Sequence, residues 1–329
     1  MSVRNCLNPW QTLLIANDGR VMPCCHGSKA VGDINLSSVE EIWNGVVMQG
    51  LRASILEGRV HDVCQSSGCP YQKSDEAFPD YEPMAELDPE FCSSFDESHY
   101  LQTHPDVAAA VSIGVLGSGL EHYYRHGSSE GRAFQLRLGT APVEATPSFA
   151  GNIVERTARK TVIRSQPTDV VLAVTTVCNL RCVMCPHGMG LVDSPSHMPA
   201  RYADKLDALV KGAARIILSG VGEPTLAPSF WWFIDAERFP SRAYTRVNSN
   251  AHFITPGNAV RLVRSNLSEI SISLDAASGP TYRRIRGGNF RKALRGILNL
   301  VKARSDHAKD LKIYVNMTLM RENLGEAVK

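Results

Sequence analysis

From about residue 168 onward, short apolar runs rich in β-branched residues alternate with amphipathic stretches of helical period. The runs are Val170–Thr175, Arg215–Ser219, Tyr244–Ser249, Glu269–Leu274 and Lys312–Thr318. Between and after them stand RYADKLDALVKGA, SFWWFIDAERF, PGNAVRLVRSN and NFRKALRGILNLVKAR. Repeated strand–helix units predict a parallel sheet with helices outside it, so the expected fold class is α/β. Five such strands suit an open sheet and a barrel cut short equally well.

The earlier sequence has a different texture. In residues 1–80, two alternating apolar runs flank NDG (LLIA–NDG–RVMP), the signature of a type I′ hairpin, and a helical stretch covers Val39–Leu56. Residues 81–150 open with acidic, proline-containing sequence and pass into the helical-looking HYLQTHPDVAAAV and GLEHYYRHGSSEGRAF. They close in a polar linker, GTAPVEATPSFAGN. The expected units are therefore 1–80, 81–150 and 151–329. His122 and His126, one helical turn apart, are either a metal pair or part of an amphipathic face; a spacer or docking module is the preferred reading of this segment.

Composition narrows the setting. A formal charge of +2 with mixed signs supplies no field that would steer nucleic acid or acidic membranes. The start, MSVRNCLNPW, lacks the apolar core of a secretory signal, and no apolar run is long enough to span a bilayer. A cytoplasmic location is expected. There the nine cysteines are better metal ligands or reactive thiols than disulfide partners. Cys92 stands alone and is read as a buried structural thiol.

Cys178, Cys182 and Cys185 form a tight triplet in CNLRCVMC, just beyond the first strand of the repeating region. A structural zinc site closes with four ligands. A cubane [4Fe–4S] cluster offers one iron per thiolate, so three cysteines hold it and leave one iron open. The loop belongs at a strand's carboxyl end, where (β/α) barrels place their chemistry. The alternatives are a redox-sensitive cysteine cluster, or zinc on the three cysteines completed by His187.

The CxxxCxxC loop after a strand resembles the signature of the radical S-adenosylmethionine (radical SAM) superfamily. That resemblance implies a partial (β/α) barrel and an open iron chelated by SAM. It also implies reductive cleavage of SAM to methionine and a 5′-deoxyadenosyl radical, which abstracts hydrogen from a peptide, protein or small-molecule substrate. SGVGEP, residues 219–224, resembles the family's GGEP motif, so Gly222, Glu223 and Pro224 carry over as SAM contacts, although Val221 replaces the first motif glycine. At the ends of the next strands the resemblance implies Asn248 and Ser249, with Asn250 beside them, and then Ser273 with Asp275. Ala251 stands where the family often has glycine. TYRRIRGG resembles the family's Arg–Gly turn, making Arg286 a carboxylate partner for SAM, and Met184 takes a position that packs on adenine. Family barrels usually have six strands, so the sequence predicts a barrel truncated after about five.

The N-terminal order Cys…PW…DG-x-V-x-P-C…IWN…C…C is similar to SPASM/twitch auxiliary iron–sulfur domains. It implies Cys6, Cys24, Cys64 and Cys69 as ligands of an auxiliary [4Fe–4S] cluster, with Cys25 as a spare and zinc in the same cage as the alternative. Such domains usually follow the barrel. Here one precedes it, which predicts the middle of a tandem protein. The resemblance further implies an oxidoreductase supplied by a reductant such as flavodoxin or ferredoxin, with no nucleic-acid or membrane partner. The rival readings are a non-catalytic Fe–S electron carrier or scaffold, and a zinc-binding structural protein.

Overall fold

The structure, a computed structural model, describes residues 6, 8–65, 69, 95–113, 116, 118–127, 130, 132–138, 141–144, 155, 160–238 and 243–326. Cys92 lies outside the described residues.

All five expected strands form. They are β6 (Asp169–Leu172), β7 (Arg215–Leu218), β8 (Tyr244–Ser249), β9 (Glu269–Ser273) and β10 (Lys312–Asn316). They pair in parallel and in sequence order. Residues alternate between buried and half-buried along β6, β7 and β8. Helices Tyr202–Gly212, Pro228–Phe233, Pro256–Arg264, Gly279–Arg286 and Phe290–Asp306 connect or follow the strands. Three start on side-chain caps: Thr255, Ser278 and Asn289 accept from the backbone N–H groups of Asn258, Thr281 and Lys292. SFWWFIDAERF is helical only to Phe233, because the Asp235 carboxylate captures the N–H groups of Glu237 and Arg238 in a turn.

A sixth parallel strand comes from the N-terminal segment. β1 (Thr12–Ile15) pairs in parallel with β6, from Thr12 opposite Asp169 to Ile15 opposite Leu172. β2 (Arg20–Met22) and β3 (Gly32–Asp33) continue antiparallel, giving an eight-stranded sheet in the order β10-β9-β8-β7-β6-β1-β2-β3. The five expected strands thus stand within residues 169–316, and the other three strands of this sheet come from residues 12–33. One core runs through it, joining Trp10, Leu13, Val21, Trp43 and Leu51 to Val170, Leu172, Tyr202 and Leu206.

The hairpin is present, but its turn is not type I′. Of the loop residues, only Gly19 has a positive φ, 99°, whereas type I′ needs both central residues there. Gly19 N–H donates to the Ala16 carbonyl, and Ala16 N–H to that of Arg20. This is a type I turn followed by a glycine bulge. The expected helix Val39–Leu56 is split into Val39–Trp43 and Val46–Leu56. At the break the Asn44 side chain turns away to pair with both backbone groups of Ile163.

In the middle segment, helices Glu97–Thr103 and Pro105–Ser112 and the short turn Gly119–His122 pack around Phe95, Tyr100, Val107, Tyr123 and Phe134. β4 (Gln135–Leu138) pairs antiparallel with β5 (Ala141–Glu144), so part of the expected polar linker is a strand. His122 Nδ1 is hydrogen-bonded to the Tyr100 hydroxyl at 3.0 Å, so that ring is used inside this small core, while His126 is exposed.

Candidate functional site

Parallel strands of one sheet all point their carboxyl ends the same way, so the segments leaving β6 to β10 gather at one edge. The chain leaves β6 through Thr175, whose hydroxyl bonds His197 and whose backbone forms an isolated bridge to the same residue. Next comes the cysteine loop. Leu180 N–H points at Cys178 Sγ, Cys185 N–H at the Cys182 carbonyl, and Val183 N–H at the Ile285 carbonyl. Cys182 is buried, with its Sγ 3.7 Å from the Arg286 carbonyl. Burial pushes the Cys182 thiol up to about 11, and burial also raises Cys178. Cys178 feels Glu223, Cys185 and Arg286 electrostatically, and Cys182 feels Arg286, Cys185, Cys178 and Asp275. Met184 lies half-buried on the same loop.

The SGVGEP segment is laid directly against the root of that loop. Gly222 N–H donates to the Thr175 carbonyl and Glu223 N–H to that of Val177. A Cβ on Gly222 would lie 2.6 Å from both of those carbonyl oxygens. Gly222→Ala is therefore expected to pry the two segments apart and destabilise the fold by about 1–3 kcal/mol, a shift readable in the urea midpoint. Pro224 opens a short 3₁₀ turn, Pro224–Leu226, and is buried.

Glu223, only 2% exposed, collects donors from two strand exits. Oε1 accepts from Thr225 N–H, the Thr225 hydroxyl and the Ser249 hydroxyl, and Oε2 from Asn250 N–H. Burial raises its pKa despite these donors. With about four lone-pair sites on a carboxylate, one direction on Oε2 stays open to a further donor such as an ammonium. Ser249 thus faces Glu223, while Asn248 reaches the Ser219 hydroxyl at 3.3 Å. Ala251 adopts φ 62°, which accounts for glycine being favoured at such a position: a left-handed conformation costs a residue with a Cβ about 1–2 kcal/mol. Ser273 ends β9 opposite Asn316, half-buried.

Arg286 closes the site. Its Nη1 lies 3.1 Å from buried Asp275 Oδ2, and Thr318 N–H donates to the other carboxylate oxygen. Arg286 Nε is buried without a hydrogen-bond partner. An orphaned cationic donor beside Cys178 and Cys182 suits an anionic group such as a carboxylate.

The four N-terminal cysteines lie within electrostatic reach of one another. Cys6 is raised to about 12 by burial, with Cys24, Cys64 and Cys69 adding to the shift. Cys64 is raised to about 11 by burial, then by Cys24 and Cys69. Cys25 is exposed and couples to Cys24. Cys6 precedes β1 and Cys24 follows antiparallel β2, so both lie at the amino end of the parallel strands, opposite the Cys178 loop. Among the described residues, no group of three or more His, Cys, Asp or Glu side chains is closed around a single metal ion. A cubane distributes its cysteines over separate irons and does not ask for that convergence. His187, the proposed fourth zinc ligand, donates from Nε2 to the Thr176 carbonyl, leaving Nδ1 as its only ligand atom.

Sequence reasoning passed over Asn179, His252 and Tyr282, which hydrogen-bond to one another beside the cysteine loop. Their one visible signal was position: Asn179 lies inside CNLRC and His252 just after NSNA.

Comparison with known proteins agrees with this geometry. The radical SAM superfamily profile matches residues 172–329, and that of SPASM, an iron–sulfur cluster-binding domain, matches residues 6–70. Mycofactocin maturase MftC of Mycobacterium ulcerans is 30% identical over 161 residues, which is 49% of this chain and 42% of the maturase. GTP 3′,8-cyclase of Petrotoga mobilis is 25% identical, covering 46% of this chain and 52% of the cyclase. The chain thus spans about half the length of these relatives or less. Among solved structures, Streptococcus suis SuiB bound to S-adenosylmethionine is similar at 18% identity and TM-score 0.39, over 50% of this chain and 37% of SuiB. BtrN in complex with AdoMet and 2-DOIA is similar at 20% identity and TM-score 0.34, over 45% of this chain and 56% of BtrN. By these matches residues 172–329, with the triplet loop at the carboxyl edge of the sheet, are a radical SAM superfamily domain, and residues 6–70 are a SPASM-like auxiliary iron–sulfur domain.

Proposed function

We propose that this chain is a radical SAM enzyme whose [4Fe–4S] cluster is held by Cys178, Cys182 and Cys185 and whose fourth iron takes SAM. The observation that carries the reading is the shared edge: the triplet, the open direction on Glu223 and the orphaned Arg286 Nε all border the exit of β6. Bound there, cluster and SAM supply one-electron cleavage of the sulfonium to methionine and a 5′-deoxyadenosyl radical that abstracts hydrogen from substrate. The chain's own part is to bind and orient. Arg286 offers a charge-assisted donor to a carboxylate, and Glu223 an acceptor to an ammonium. The backbone pairing at Gly222 and Glu223 keeps the loop root in register with β7. The electron comes from a small reductant of the flavodoxin or ferredoxin type, and the substrate is a peptide or a small molecule. Anaerobic reconstitution with iron and sulfide, followed by SAM and dithionite, tests this: 5′-deoxyadenosine is the expected product.

Cys6, Cys24, Cys64 and Cys69 are proposed to hold a second, fully ligated cluster, with Cys25 left free. Because it lies at the far end of the sheet from the SAM edge, its role is electron transfer or structure rather than contact with substrate. β1 is a strand of the main sheet, so the test belongs in the full chain. A variant with Cys178, Cys182 and Cys185 all changed to alanine is expected to retain about four irons and four sulfides per chain. Stoichiometric zinc without sulfide would replace the cluster reading with a structural zinc site.

A further inference from the structure

Beside the cysteine loop runs a hydrogen-bonded chain whose donor and acceptor roles are set by a single backbone group. His252 N–H meets Asn250 Oδ1 at 3.0 Å, so that atom is the oxygen and the Asn250 amide nitrogen faces the other way. That nitrogen donates to Asn179 Oδ1 at 2.9 Å, which turns the Asn179 amide nitrogen toward His252 Nδ1 at 3.1 Å. Nδ1 is therefore an acceptor and the imidazole proton sits on Nε2, which faces the Tyr282 hydroxyl at 3.1 Å. Tyr282 is fully buried, and its hydroxyl lies within electrostatic reach of the Arg286 guanidinium. At its other end the chain reaches Glu223 through Asn250 N–H.

We propose that His252 is a positioning residue that sets the Cys178–Cys182 turn and the Arg286 guanidinium jointly. Through Nδ1 it holds Asn179, the residue immediately after Cys178. Through Nε2 and Tyr282 it reaches the cation offered to the SAM carboxylate. The imidazole is 7% exposed and wedged against Gly288, where an added Cβ would come within 2.8 Å of the ring. Burial, then Lys292 and more weakly Arg286, depress its pKa to about 4 against the opposing pull of the Asn289 backbone, so the ring is neutral, as the bridge requires. Protonated, it would have no acceptor for Asn179.

The inference rests on the radical SAM reading, and the experiment separates the two. The full chain is reconstituted anaerobically, and SAM affinity and the electron paramagnetic resonance (EPR) spectrum of the reduced cluster are recorded with and without SAM. In the wild type, SAM is expected to change the spectrum; no change there overturns the radical SAM reading and this proposal with it. His252→Phe, folded and iron-loaded as the wild type, is expected to bind SAM about tenfold more weakly, the scale of a lost buried hydrogen bond, with an altered cluster spectrum both without and with SAM. His252→Asn supplies an amide near the Nδ1 position only. It is expected to restore the cluster spectrum without SAM while leaving SAM affinity reduced. Wild-type affinity and spectrum in His252→Phe overturn the positioning role alone. Should that variant fail to fold, Tyr282→Phe removes one hydroxyl and decides the same point: weaker SAM binding supports the proposal, and unchanged binding overturns it.

Discussion

Replacing Cys182 by alanine is expected to abolish 5′-deoxyadenosine formation while leaving the chain folded and the auxiliary cluster loaded. Cys182 is the buried middle thiol of the triplet, against the Arg286 carbonyl and within electrostatic reach of Cys178, Cys185, Arg286 and Asp275. Removing it strips one iron of its thiolate. Loss of a direct ligand should exceed the roughly 10–100-fold penalty that follows disturbance of an outer partner. Activity under dithionite is thus expected to fall by more than about 100-fold. The N-terminal cysteines lie at the other end of the sheet, so iron retained by the variant should match the auxiliary site alone. The paired measurement is product by chromatography and iron per chain. Full activity in Cys182→Ala would remove the triplet from the chemistry.

Arg52→Ala is expected to cost about 3–5 kcal/mol, the largest effect on stability from any change away from the cysteines. In sequence, Arg52 is an ordinary basic residue on a short helix. In the structure it is 0% exposed and donates to the carbonyls of Pro9, Thr161 and Trp43, with its guanidinium 4.6 Å over the Trp43 ring. It therefore ties the start of β1 and the helix Val39–Trp43 to the strap that enters β6. Burial lowers its pKa to about 10, still well above neutrality, so it stays charged. Truncation leaves three carbonyls without their donor and a cavity where the side chain stood. Arg52→Met refills most of the volume but none of the hydrogen bonds, so it should recover part of the loss. The check is the urea midpoint of each variant; a shift below about 1 kcal/mol for Arg52→Ala would mean that water satisfies those carbonyls.

The same strap shows where reading the sequence stopped. Trp10 Nε1 donates to the Lys160 carbonyl, Trp43 Nε1 to that of Ser165, and Asn44 pairs with Ile163. These bonds cross more than a hundred positions of sequence, through backbone carbonyls that every residue possesses. No local pattern marks them. The PW and IWN motifs were visible as motifs, but their partners were not. The hairpin was legible from NDG because alternation and a turn-forming glycine act within a few residues. Its turn type was not, because Asn17 uses its side chain to bond Ser196 across the sheet edge, and the left-handed conformation is confined to Gly19.

By itself the sequence determined the five parallel strands, the family resemblance, and the triplet at the carboxyl end of β6. Period-two apolar runs, capping residues and cysteine spacing are local properties that any fold of this chain must respect. Only the tertiary structure decided that β1 joins β6 in one sheet. It alone decided that Cys24 is partly buried while Cys25 is exposed, that Glu223 gathers Ser249 and Asn250, and that His252 bridges Asn179 and Tyr282. Each of these depends on which surfaces are buried together. Burial over long sequence separations selects among partners that local propensity leaves equal.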